Sequence, residues 1–506
     1  MAEQYIIGID CGTTSVKALA YDEQGNEICA VDRGNEVISS GVCNEQDMEK
    51  LWQNVTWCVK TLMQKSGLNP AAICGMGVSG QGEGLWAIDS AGRPVRNAIL
   101  WNDGRSFELI DRIKSNDPLY RRIKHCVASF IKNGSTLTLI RWLKEHEPEQ
   151  YQRAAWFFTC KDWIRYRLTG SIAWELSDAT CSCVNLLERR YAREIFRELD
   201  IAEAEEKMPP LIGAVDRAGG ILPELAGEIG LLPGTPVSGG MLDLVSTAAG
   251  LGVVDPHDAC VIVGTTGMTF TVLNDYTPDD HINGWEVHID GKSYIKGIGC
   301  MAATPNLDWA IASLFPGKSP HEVYEEIALR LAGRAPFASG LLYHPHISAA
   351  GERAPFFNAK AAAQLLGIRQ TTKPLDILHA VMEGVAFAIK DCLMTVGKVN
   401  QVYLSGGGAK SPVWAQILCD VLGADVYITS SGELSAKGAA ISAALMTGLF
   451  KNMGEVKERF IKIKTVLRPN PANVPVYTGL YQMYKKTQGC MDEFWNWRFE
   501  HLRNEA

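Results

Sequence analysis

The sequence predicts an α/β protein built from two similar halves that face each other across a cleft. Three observations predict it. An apolar β-branched run ends in Gly-Thr-Thr and resumes as a second run twice, within Ile6–Lys17 and within Cys260–Thr269, half a chain apart. Strand patterns alternate with helix patterns along the chain. A length of 506 residues exceeds what one hydrophobic core organises. The turns Gly12-Thr13-Thr14 and Gly264-Thr265-Thr266 carry backbone N–H groups and hydroxyls with no bulky side chain in the way. A polyphosphate held from two sides needs such turns.

The elements follow in order. Tyr5–Ile9 and Val16–Tyr21 read as a hairpin, and Asp22-Glu23-Gln24-Gly25-Asn26 turns the chain. Asp47–Ser66 reads as a helix, with Met48, Leu51, Val55, Cys58, Val59 and Leu62 at helical spacing. Ile73–Ser79 is a buried strand, Gly80–Gly84 a loop and Leu85–Ile88 a further strand. Ser135–Glu145 and Lys161–Leu168 read as helices. Pro236-Val237-Ser238 is a short strand ending in Gly239-Gly240, and Met241–Ala249 reads as a helix. The second half restarts at Val253–Asp258 and carries its own hairpin. Met301–Leu314 and Leu375–Thr395 read as helices. The strand Val402–Leu404 runs into Ser405-Gly406-Gly407-Gly408, and a helix follows from Pro412 to Leu422. Val426–Ile428 is a strand, Gly438–Thr447 a small-residue helix, and Tyr477–Phe499 a closing amphipathic helix.

Composition narrows the function. Hydrophobic content of 46% and charged content of 21% suit a soluble globular protein. A net charge of −8 argues against nucleic acid or an anionic membrane as main partner. No apolar run reaches the length of a membrane span. The fourteen cysteines include no C-x-x-C pair, and Cys181-Ser182-Cys183 reads as structural. Free thiols at this density, with no leader-like N-terminus, lead to an expected cytoplasmic location.

Several residues carry candidate chemistry. Asp10 ends a buried strand before the first Gly-Thr-Thr turn, where a carboxylate either holds a hydrated Mg²⁺ against phosphates or caps the turn. Lys17 is either within reach of a phosphate at that turn or a solvated strand residue. Asp243 lies at the start of a helix after Gly239-Gly240. It is either a base beside a substrate hydroxyl or an acid serving the helix dipole. Gly406-Gly407-Gly408 lets backbone approach a ligand closely, or is a plain strand-to-helix turn; it is no G-x-x-x-x-G-K-[ST] loop. Gln81, Gly82 and Glu83 form a polar loop able to hydrogen-bond sugar hydroxyls. Trp86 and Trp101 offer flat walls or simple core, and Asp103 adds a carboxylate nearby.

These motifs together match a known pattern over essentially the full chain. The stretch from Ala363 through Gly367-Ile368 to Asp376–Glu383, the Gly351-Glu352-Arg353-Ala354-Pro355 element, Leu100–Arg105, and Lys161-Asp162-Trp163 with Arg167–Gly170 resemble the signatures of the FGGY carbohydrate kinases. That family shares the fold of actin, hexokinase and the heat-shock chaperone ATPases. The resemblance implies two actin-like (ribonuclease H-like) ATPase domains with a cleft between them. Residues 1–252 would be the sugar-binding domain with the first phosphate hairpin, 253–459 the nucleotide-binding domain, and 460–506 a helical extension. It implies ATP and Mg²⁺ as cofactors, with Asp243 the catalytic base and Asp10 holding the metal through water. Gly12, Thr13, Thr14, Lys17, Gly264, Thr265 and Thr266 would line the phosphates, and Gly406, Gly407 and Gly408 would flank the adenosine. Gln81, Gly82, Glu83, Trp101, Asp103 and Asp243 would face the sugar. A homodimer is left open.

Departures from the pattern bear on the substrate. The loop Gln81-Gly82-Glu83 lacks the Arg-Glu of glycerol kinases and the Met-His of D-xylulose kinases. Its Gln-Gly-x-Gly form is similar to that of L-xylulose and erythritol kinases. Val245-Ser246-Thr247 and Trp142–Pro148 lean to the first group, Tyr343–Ile347 and Gly351-Glu352-Arg353 to the second. Near Asn133–Leu143 the N-terminal signature is only partly met, with Arg141 beside Trp142 in place of the usual Lys. With no cation in the Gln81–Gly84 loop, the expected substrate is neutral: L-xylulose or a similar ketopentose first, erythritol second. It would be phosphorylated by ATP on a terminal hydroxyl. A non-catalytic ATP switch or a sugar sensor on the same fold is the contrasting expectation, and the intact Asp10, Asp243 and paired turns speak against it.

Overall fold

The first β-hairpin forms where the sequence places it. Tyr5–Cys11 pairs antiparallel with Ser15–Asp22, and the Gly12-Thr13-Thr14 turn lies between them. The computed structural model describes residues 3–279, 284–430 and 432–502. Glu27–Gly34 extends the hairpin to a three-stranded meander. On its other side Tyr5–Cys11 pairs in parallel with Ile73–Gly80, which pairs in parallel with Pro236–Ser238. Arg217–Gly220 closes that edge, and the short strand Met241–Leu242 also pairs with Ile73–Gly80.

The second sheet repeats this path. Ala259–Val263, Gly267–Leu273 and Tyr294–Cys300 form an antiparallel meander, and Gln401–Gly406 and Asp425–Thr429 follow in parallel from Ala259–Val263. Gly284–Val287 and Ile463–Leu467 cap its two edges. Parallel neighbours need crossover helices. The helices Met48–Ser66 and Cys160–Thr169 lie against the first sheet, and Pro374–Met394 and Pro412–Leu422 against the second.

The halves meet through small residues. The helix Leu434–Met446 lies in sequence between the second-sheet strands Asp425–Thr429 and Ile463–Leu467, yet packs on the first sheet and on the helix Asp243–Leu251. Backbone contact explains the glycines there. A Cβ on Gly8 would lie 1.9 Å from the Ala436 carbonyl oxygen, and one on Gly438 1.9 Å from that of Ser246. Hydroxyls stitch the same seam: Ser238 and Ser442 lie 2.8 Å apart, as do Ser79 and Ser435.

Four expectations need correction. The predicted helix Met241–Ala249 begins only at Asp243, because Met241 and Leu242 are held as a strand against Ser79 and Gly80. The small-residue helix starts at Leu434 rather than Gly438. The closing helix is two, Asn473–Gly489 and Asp492–Leu502; glycine is a poor helix former and Asp favours a helix start, so the break falls between them. The tail expected to be helical from residue 460 opens with the strand Ile463–Leu467, an exposed edge of the second sheet. Among the described residues no helix is long and apolar enough to cross a membrane.

Candidate active site

Asp243 sits where a strand becomes a helix. Gly240 makes the turn with φ of +82°, and a Cβ there would lie 2.2 Å from the Val78 carbonyl oxygen. Met241 and Leu242 pair with the end of Ile73–Gly80, and Asp243 opens the helix Asp243–Leu251. Its carboxylate borders a cleft of ≈ 380 Å³ that residues of both sheets enclose. Burial, and then the charge of Asp10, push the Asp243 carboxyl up to about 7, against the opposing pull of the Leu244 N–H and Lys132. A carboxylate so tuned changes protonation near neutral pH, where a general base is most effective.

Asp10 lies at the end of the first strand. Ser435 Oγ donates to Asp10 Oδ1 at 2.9 Å, so a residue of the second half holds it. Burial raises its carboxyl pKa, while the Ser435 bond and the Lys17 charge oppose that rise. Among the described residues no three His, Cys, Asp or Glu side chains gather into a metal cage. Asp10 and Asp243 are instead two electrostatically coupled carboxylates. The Asp10 carboxylate suits Mg²⁺, which takes one or two carboxylates and completes its shell with water and phosphate oxygens.

The Gln81–Glu83 loop reaches the cleft, and its side chains are largely committed. Gln81 Oε1 accepts from Thr13 Oγ1 at 2.9 Å, and Gln81 Nε2 donates to Gln46 at 3.0 Å. Trp101 Nε1 donates to the same Thr13 hydroxyl at 3.0 Å. Gln81 and Trp101 thereby tie the first Gly-Thr-Thr turn to the cleft wall. A Cβ on Gly82 would lie 2.0 Å from Leu242 Cδ1, so any larger residue there requires the Leu242 side chain to move. Glu83 Oε2 accepts from the Thr136 N–H at 2.8 Å and from Ser182 at 2.9 Å. Thr136 opens a helix, so this carboxylate also meets a helix dipole. Glu83 Oε1 is buried and has no partner among the described residues.

A buried ion cluster supports this loop. Lys161, fully buried, lies 2.6 Å from Asp162, 3.4 Å from Glu175 and 3.5 Å from Asp178. Arg165 adds a 2.5 Å pair with Asp162 and donates to the Gly239 carbonyl at 2.8 Å, just before Asp243. Asp178 Oδ1 in turn accepts from the Glu83 N–H at 3.1 Å. Burial pushes the Asp178 carboxyl up to about 6 and that of Glu175 to about 7. These acids share one lysine, and its own pKa they raise.

Other predicted site residues are placed differently. Asp103 is turned inward: it is fully buried, with oxygens accepting from Asn44 N at 2.6 Å and from Arg105 at 2.8 and 3.0 Å. It does not line the cleft, because the arginine two positions on claims its charge. Lys17 Nζ pairs with Glu433 at 2.6 Å. Thr266 of the second turn is on the cleft wall; Gly264 and Thr265 hold the start of the helix Thr304–Leu314 through their carbonyls. Gly12 and Thr14 brace Asn35. Gly406, at φ of +81°, and Gly408 press on Val263, where a Cβ would meet it at 2.5 and 2.7 Å; Gly407 opens the short helix beside them. These three glycines lie outside the cleft that holds Asp243.

Sequence reading missed Lys132, Glu286 and Arg353 as cleft residues. Arg353 stands in the Gly-Glu-Arg element, visible as a motif member without an assigned role; Lys132 lies one position before the partly matched stretch Asn133–Leu143 and outside every motif read from the sequence. Glu286 carries no local signal.

Comparison with known proteins gives matches over nearly the whole chain. Models of the N-terminal and C-terminal domains of the FGGY family of carbohydrate kinases match residues 5–250 and 259–447. The chain is 31% identical over 495 residues to a xylulose kinase of Staphylococcus epidermidis, covering 96% of each. It is 29% identical over 506 residues to an L-xylulose/3-keto-L-gulonate kinase of Escherichia coli, covering 97% of this chain and 98% of that one. An erythritol kinase of Brucella abortus is 27% identical over 507 residues, with 97% of each covered. A crystal structure described as a xyloylose kinase from Brucella ovis matches with a TM-score of 0.88 at 26% identity, covering 97% of this chain and all (100%) of the other.

Proposed function

Given that the chain belongs to the FGGY family of carbohydrate kinases, we propose that it transfers the γ-phosphoryl group of ATP to a terminal hydroxyl of a ketopentose, L-xylulose first. The observation that carries the reading is Asp243: a carboxylate at a helix start, inside the cleft, with its pKa lifted to about 7. Asp243 takes the hydroxyl proton as the oxygen attacks, and orients that oxygen for in-line displacement. The Thr13 and Thr266 turns approach the phosphates from opposite halves. Bound at Asp10, Mg²⁺ would offset charge on the phosphates; the Ser435 bond keeps that carboxylate oriented. Trp101 covers one wall of the sugar site and the Gln81–Glu83 loop another, excluding water that would otherwise accept the phosphoryl group.

The cleft is rich in acceptors at Glu83, Glu286 and Asp243, which suits a polyhydroxy substrate. Lys132 and Arg353 on the same walls favour a second reading, a six-carbon sugar acid whose carboxylate faces them. Erythritol is the tetritol alternative. An assay of ADP release over L-xylulose, D-xylulose, erythritol, glycerol and hexulosonates tests the choice. The largest kcat/KM for L-xylulose is the expected result. A wide margin for a hexulosonate, erythritol or glycerol overturns the ketopentose reading and leaves the kinase assignment standing.

A further inference from the structure

Glu286 belongs to the second sheet, on its edge strand Gly284–Val287, yet its side chain borders the cleft that holds Asp243. It is 95% buried (5% exposed), and Oε2 has no hydrogen-bond partner among the described residues. A buried carboxyl oxygen without a partner gives up its hydration with nothing in return, so native proteins fill such positions or use them. The strand that carries it is also tied to the first half. Gly284 bridges Ser129, and the Trp285 N–H donates to the Ala128 carbonyl at 3.1 Å. Ser129 and Gly284 both border the cleft, so the cross-half bridge runs along its rim.

We infer that Glu286 is a sugar-recognition residue supplied by the second half: its unpartnered oxygen hydrogen-bonds a hydroxyl or carbonyl of the substrate, and so couples sugar binding to the contact between the halves. This rests on the kinase reading above. The groups facing Glu286 are Lys132, Glu83, Asp243 and Asp178, with the Cys181 thiol beside them. Three carboxylates against one ammonium disfavour a further negative charge. Burial first, and then these acids, push the Glu286 carboxyl up to about 8, with Lys132 opposing. Below that pH the group is neutral and donates as well as accepts, as a carboxylic acid in an apolar site can. A substrate carbonyl, which only accepts, then finds a donor.

The test compares the full-length wild type with Glu286→Ala and Glu286→Gln. Steady-state kinetics use whichever sugar of the panel above the wild type turns over fastest. Glu286→Ala is expected to raise KM for the sugar about 10- to 100-fold and leave KM for ATP within about twofold. Glu286→Gln keeps a donor and an acceptor, and should recover most of the loss. Above pH 8 the wild-type KM for the sugar should climb while that of Glu286→Gln stays level. A wild type active on a sugar, with Glu286→Ala unchanged in KM for it, overturns the role of Glu286 alone. Equal losses for sugar and ATP with no rescue by Gln reduce the residue to packing and overturn it too. A wild type that phosphorylates nothing in the panel overturns the substrate reading and this inference together.

Discussion

Ser435 Oγ donates to Asp10 Oδ1 at 2.9 Å across 425 positions of sequence, joining the first strand of the chain to the helix that closes the opposite half. The same hydroxyl lies 2.8 Å from Ser79 on the neighbouring strand. One small side chain thus sets both the aim and the charge of the carboxylate whose field acts on Asp243 in the cleft.

Ser435→Ala removes a bond that stabilises ionised Asp10. Burial already raises that pKa, so losing the bond raises it further. The fraction of ionised Asp10 at a given pH falls. The acid limb of kcat/KM is therefore expected to move to higher pH, with activity at pH 8 to 9 least affected. A pH–rate profile that overlays the wild type would dismiss the coupling.

Asp243→Asn is expected to lower kcat by about 10² to 10⁴-fold, the usual range for losing a general base. Equilibrium binding of ATP should change little. The wild-type rate should rise with pH through about 7, since the base works ionised. Stability has the opposite sign. The folded-state pKa lies above the unfolded value near 3.8, so the folded state loses relative stability as pH rises through about 7. Asn removes that loss, and its melting temperature at pH 8 to 9 should equal or exceed that of the wild type. Near-normal kcat in a folded Asp243→Asn protein removes Asp243 from the base role.

Much of this was legible in the sequence, for local reasons. The Gly-Thr-Thr turns and their flanking β-branched runs specify hairpins without help from distant residues. The helix Pro412–Leu422 was placed to the residue, because Ser411 caps it, Pro412 suits its first turn and Gly423 ends it. What was not legible depends on contacts far apart in sequence. Glu286 borders the cleft from a strand of the second sheet whose Gly284 bridges Ser129 and whose Trp285 N–H bonds Ala128, both far away in sequence. Asp103 looked available beside Trp101, but Arg105 and Asn44 engage it. The strand Ile463–Leu467 is exposed on both faces, so it lacks the apolar alternation that marks a strand.

Lys161→Met should be among the most destabilising single changes. The ammonium is fully buried and within 3.5 Å of three carboxylates, Asp162, Glu175 and Asp178. Removing it leaves their charge with Arg165 as the remaining counterion of Asp162. Breaking a buried ionic contact from one side costs about 3–5 kcal/mol. Asp178 also seats the Glu83 N–H, so any folded fraction should show weakened sugar affinity. Urea unfolding measures the first effect. A midpoint within experimental scatter of the wild type would mean that the cluster neutralises itself by protonation.

Gly8→Ala tests the seam between the halves. The glycine lies mid-strand in Tyr5–Cys11 and faces the helix Leu434–Met446. The added methyl carbon would sit 1.9 Å from the Ala436 carbonyl oxygen and 2.9 Å from the Ala440 nitrogen. Both are backbone atoms, so no rotamer change relieves the overlap, and the helix must move off the sheet. Overpacking commonly costs about 1–3 kcal/mol, and a backbone collision of this size belongs at or above the upper end. Gly34→Ala is the control: it is also a strand glycine, and nothing lies within 4 Å of its added carbon. That change should be neutral or slightly stabilising through the unfolded chain. Because the displaced helix carries Ser435, Gly8→Ala should also weaken the Asp10 contact and lower kcat in the fraction that folds. Equal unfolding midpoints for the two variants would show that the halves do not pack this closely.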